Sequence, residues 1–142
     1  DLFADGAEIT ATAPGDVTGA FTLTARGVAP FVTGMGGSLD IEDGVDEVIT
    51  WTAEGDGRIR LGLRIGWHIR PPEGLLVCDT ADDGELVIPG ELVTALPRQT
   101  GLGEPHYSWM GRVSTDVVDG DFGPIELLVG NLVTIGGVNH LP

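Results

Sequence analysis

Carboxylates gathered in turns are the side chains of this sequence with the most chemistry to offer. Asp116, Asp119 and Asp121 share one loop, with Glu126 just beyond it. Asp79, Asp82, Asp83 and Glu85 form a second group, and Asp40, Glu42, Asp43 and Asp46 a third. Calcium takes about six to eight oxygens from loops of this kind. A calcium site, if the chain has one, is expected at Asp116, Asp119 and Asp121. None of the groups has the calcium-loop spacing of alternating Asp or Asn, a glycine and a distant Glu. The competing expectation is a set of solvated Asp-Gly turns, in which Asp bonds to its own backbone and Gly supplies positive φ.

Other reactive types are sparse. His68, His106 and His140 are scattered, with no zinc-ligand spacing between them. Ser108 and Ser114 lack a nucleophile-elbow context. A glycosidase would need two carboxylates facing each other across a cleft, and no spacing predicts that pair. Cys78 stands alone, which excludes an intrachain disulfide and a cysteine-based zinc cluster. In Leu75-Leu76-Val77-Cys78-Asp79 it reads as a small buried hydrophobe rather than a reactive thiol.

Two groups point instead to binding. Arg58, Arg60 and Arg64 fall on one face of an alternating segment. They are suited to an acidic partner or an anionic ligand, or to cross-strand pairs worth ~0.2–1 kcal/mol each. Trp109 follows His106 and Tyr107, where an aromatic ring near a strand end could stack on a sugar or anchor a protein. Trp51 and Trp67 share the alternation of core residues. Leu2 and Phe3 are apolar at a terminus, so residues 1–6, or else an edge strand, are expected to pair with a further copy by strand addition.

The charge balance narrows the partners. Asp and Glu number 22 against seven arginines and no lysine, a formal net charge of −15. Such a surface repels nucleic-acid backbones and anionic lipid heads. No apolar run approaches the ~18 residues of a membrane-spanning helix. The chain opens on Asp1, which predicts a processed protein or an excerpt and favours export.

The elements that must carry these groups are strands. In Arg58-Ile59-Arg60-Leu61-Gly62-Leu63-Arg64-Ile65-Gly66-Trp67 the odd positions are apolar and the even ones Arg or Gly. That period of two predicts a strand with one buried and one wet face. Residues 7–13 and 20–26 read as a hairpin, and 28–33 as a further short strand. Residues 48–53 are expected to form the central antiparallel hairpin with 58–67. Residues 75–79 read as a strand buried on both faces, followed by 85–88 and a short helical segment at 89–96 that Pro97 stops. Tyr107, Trp109, Val113 and Val117 share a face of the strand 107–118, and 125–135 reads as the last strand, central in its sheet. Eight to ten strands in 142 residues predict a single all-β domain, an antiparallel two-sheet sandwich of immunoglobulin-like or jelly-roll-like type.

Three segments in order carry a resemblance: Val48-Ile49-Thr50-Trp51-Thr52 with Gly57-Arg58-Ile59-Arg60-Leu61, then residues 76–89 from Leu76 to Pro89, then 92–97. This order resembles β-sandwich modules of exported proteins and lipoproteins of deltaproteobacterial type, over residues 46–135. The resemblance implies an extracytoplasmic, non-catalytic domain and transfers no site residue. The expected role is structural, adhesive or self-assembling, in a filament or at a cell surface, with protein partners that include copies of the chain itself. The alternative is a carbohydrate- or small-ligand-binding module, with calcium as a stabilising ion. An enzyme is not expected.

Overall fold

The structure is a computed structural model, and it describes residues 3–16, 19–35, 38–54, 57–66, 73–98 and 107–141. Ten strands and one helix are found among the described residues, and the all-β, sandwich-like class is what the structure shows. The strands are β1 (Glu8–Ala13), β2 (Phe21–Arg26), β3 (Leu39–Glu42), β4 (Glu47–Thr50), β5 (Arg58–Ile65), β6 (Gly74–Ala81), β7 (Glu85–Ile88), β8 (Ser108–Gly120), β9 (Gly123–Ile135) and β10 (Val138–Leu141). Helix α1 (Gly90–Ala95) follows β7.

One layer is a four-stranded antiparallel sheet in the order β6-β5-β8-β9. The alternation of β5 is what fixes it. Ile59, Leu61, Leu63 and Ile65 are all fully buried on its inner face, beside Met110 of β8 and Ile135 of β9. The second layer is assembled from small pieces: β4 paired antiparallel with β7, β3 paired with β10, and α1. It contributes Leu39, Ile41, Ile49, Ile88, Val93 and Val138 to the same core. Burying these apolar side chains, at about 25 cal/mol per Å2, is the main force holding the layers together.

Several pairings differ from those expected. β4 does not form a hairpin with β5; it pairs with β7, Val48 opposite Val87. The link from Trp51 crosses to the other layer because Trp51 N–H donates to Gly84 O and Glu54 N–H to Asp82. Residues 28–33 form no strand beyond one bridge, Thr33 with Trp51, since Pro30 lacks the N–H a ladder needs. β6 is not buried on both faces but is an edge strand, with Leu75 and Val77 turned outward. β9 is neither the last strand nor a central one. The β1–β2 hairpin packs on β8 and β9 through β2, and β10 follows β9, pairing parallel to β3.

The β8–β9 hairpin extends past the end of β5. A Cβ at Gly111 would collide with the Asn131 carbonyl oxygen across the ladder, so β8 tolerates only glycine there. At the hairpin tip Gly123, at φ 121°, adopts a backbone conformation that side chains disfavour.

Candidate docking face

Residues opposite one another in a ladder point to the same side of the sheet, so the register of β5 defines an outer face. Arg64 stands opposite Leu75, Gly62 opposite Val77 and Trp109, Arg60 opposite Asp79 and Gly111, and Arg58 opposite Ala81 and Val113. Across the next ladder Leu132 lies opposite Gly111. The sequence-derived candidates Arg58, Arg60, Arg64 and Trp109 therefore share one surface. Leu75, Val77 and Leu132 join them at 57%, 52% and 46% exposure.

Gly62 makes the middle of this face. A Cβ there would sit within 2.7 Å of two or more indole atoms of Trp109, so the indole lies directly against the β5 backbone. The result is a broad apolar strip, with the half-buried ring flanked by Leu75 and Val77 on one side and Leu132 on the other.

The arginines frame it. Arg58 Nε donates to Asp79 Oδ1 at 2.6 Å, and Arg60 donates to Asp79 Oδ2 and to both Glu126 oxygens at 2.9–3.1 Å. Burial alone would raise the Asp79 carboxyl, but the bonds from Arg58 and Arg60 outweigh it and hold it below its ordinary range. The register places Glu126 opposite Val117, beyond the end of β5. Arg60 nevertheless bonds both of its oxygens.

A second polar cluster, which the sequence did not announce, lies inside the molecule. Arg112 is 3% exposed. Its Nε donates to Asp82 Oδ2 at 2.7 Å, Nη1 to Pro30 O at 2.6 Å and to Ala29 O at 3.2 Å, and Nη2 to Thr52 O at 3.1 Å. Trp51 Nε1 donates to the other Asp82 oxygen at 2.6 Å. Phe31 stacks beneath, 5.9 Å from the guanidinium carbon. Each nitrogen of this cation donates to an acceptor, and the group ties together β8, the β6–β7 turn and the segments before β3 and after β4. Beside it opens a cleft of ≈650 Å3 between the hairpin base and the sheet, lined by Asp5, Arg26, Glu54 and Arg58 among others. Its charges are mixed in sign.

The candidate calcium residues are not brought together. Asp116 Oδ2 accepts Thr24 N–H at 2.7 Å, and Asp121 Oδ2 accepts Gly19 N–H at 3.0 Å. With Ser114 Oγ on Arg26 N–H, these side chains satisfy the free edge of β2. Asp119 stands three residues from Asp116 in the strand and so points to the opposite face. Among the described residues no group of three or more His, Cys, Asp and Glu side chains is arranged to hold a metal.

Phe3 is exposed, beside a turn in which Gly6 N–H donates to Gly27 O. Leu2, Trp67, His68 and His106 lie outside the described residues. Cys78 is half-buried on the inner side of β6, where burial pushes its thiol up and keeps it protonated. Comparisons of the chain with family models, with curated proteins and with solved structures return no match.

Proposed function

We propose that this chain is a non-enzymatic, extracytoplasmic β-sandwich domain with a structural, adhesive or self-assembling role, making its contacts through the outer face of the β6-β5-β8-β9 sheet. One observation carries this reading: Leu75, Val77 and Leu132 stand exposed around Trp109 on a sheet face with a rigid core beneath it. Contiguous exposed apolar patches mark interaction sites far more often than they are left bare. The net charge of −15 turns the chain toward protein partners and away from nucleic acid. Among the described residues no helix is long and apolar enough to cross a membrane. The extracytoplasmic placement rests on the resemblance of residues 46–135 to exported modules, and fractionation of the source cells tests it. Light scattering over a concentration series tests the contact. The wild-type mass is expected to rise with concentration and the Val77→Glu variant to stay monomeric. A wild-type monomer throughout contradicts self-assembly.

A second reading has its own support. The Trp109 indole, resting against Gly62 on an open sheet face, is a ring to which a sugar could stack. Glycan-array binding by a monomeric wild type, lost in Trp109→Ala, would favour a carbohydrate-binding module. Sensitivity of that binding to chelator would restore calcium to the account.

A further inference from the structure

The outer face has a counterpart on the other side of the molecule. In the β4–β7 pair, Ile49 and Ile88 point into the core, while Val48 and Val87, directly opposite each other, point away at 51% and 43% exposure. Val45, in the turn before β4, and Leu92 of α1 are also exposed. The turn and the start of α1 lie side by side, since Gly90 packs against the Gly44–Val45 backbone and its N–H donates to Asp46. The charges around this second patch are acidic: Glu85 on β7, Glu91 on α1 and Asp46. Arg98, beyond the helix, is paired with Asp43. The outer face, by contrast, holds three of the chain's seven arginines, Arg58, Arg60 and Arg64, beside the carboxylates of Asp79 and Glu126 that Arg58 and Arg60 bond.

We propose that the arginine-framed outer face of one copy docks on the acidic β4–β7 face of the next, so that copies stack head to tail. This rests on the self-assembly reading above and deepens it. Each face has an apolar centre, and the outer face carries arginines that β4, β7 and α1 lack. The two look in opposite directions from one core, so the contact is heterologous. A heterologous contact whose rotation does not close gives an open fibre instead of a dimer. An outer face meeting a second outer face would oppose Arg64 to Arg64 and offer the arginines no new acidic partner.

The test uses two blocked chains. Leu75→Glu with Val77→Glu makes the outer face acidic, and Glu85→Arg with Val87→Arg makes the opposite face basic. All four positions are exposed, and circular dichroism and melting temperature check the folds. Arg64→Glu and Glu91→Arg are single-site versions for the same two faces. In sedimentation velocity the wild type is expected to grow beyond a dimer with concentration, and each blocked chain alone to remain at 14.8 kDa. Mixed, they are expected to form a 1:1 species of twice that mass that grows no further. If the chain blocked on the β4–β7 face still dimerises alone, the outer face pairs with itself; head-to-tail stacking is then overturned and self-assembly stands. If wild type associates but the mixture stays monomeric, stacking is likewise overturned. A wild type that never associates removes both.

Discussion

Removing either partner of the Arg112–Asp82 pair leaves the other charge buried, which costs about 3–5 kcal/mol in typical proteins. Asp82→Asn is therefore expected to lower the unfolding free energy by about 3 kcal/mol in urea titrations. Trp51→Phe, which strips one donor from Asp82, is expected to cost about 1–3 kcal/mol. Burial would raise the Asp82 carboxyl, but hydrogen bonds from Arg112, Trp51 and the Glu54 N–H outweigh it and lower its pKa. A carboxyl depressed in the folded state contributes fully above its unfolded value of about 3.9. The contribution disappears as pH falls through the lower folded value. Wild-type stability should thus fall below about pH 4 more steeply than that of Asp82→Asn, as followed by denaturation at stepped pH. None of this was readable beforehand. Asp82 looked like one turn acid among four, and no spacing in residues 107–118 singled out Arg112. The carbonyls of Ala29, Pro30 and Thr52 that make its burial tolerable come from distant segments.

Strands whose two faces differ were legible; their partners were not. The Arg/Ile/Leu alternation of β5 fixed which side is buried, because a one-residue slip would turn four aliphatic side chains into water. The pairing of β4 with β7 was hidden, because the short acidic link before β5 has the composition of a hairpin turn. What redirects it is Trp51, tied to the β6–β7 turn. The acidic loop of β8 was legible as a cluster but not as a clamp, since the β2 edge it satisfies lies some 90 residues away in sequence. Asp116→Ala is expected to cost about 1 kcal/mol, with the same loss of melting temperature in calcium as in chelator. A calcium-dependent difference would return the loop to metal binding. Gly62→Ala forces the Trp109 indole off β5 and is expected to cost about 1–3 kcal/mol and to weaken association in the same samples.

For the molecule as a whole, long-range repulsion between copies at −15 each opposes short-range fit between their faces. Repulsion acts over about 30 Å at 0.01 M salt but only about 10 Å at 0.1 M, whereas contacts inside an interface are screened much less. Association should therefore strengthen between these two salt concentrations, as read by light scattering. Composition alone made the acidity legible. The segregation of arginines onto one outer face was half legible, from the β5 period, and needed the β6 register to complete it. The contact itself is most directly seen by amide hydrogen exchange on dilute and concentrated protein. Protection gained on concentration in β6 and in β4 and β7, with the β1–β2 hairpin unchanged, is the predicted result. Exchange in β6, β4 and β7 that is identical at both concentrations would contradict it.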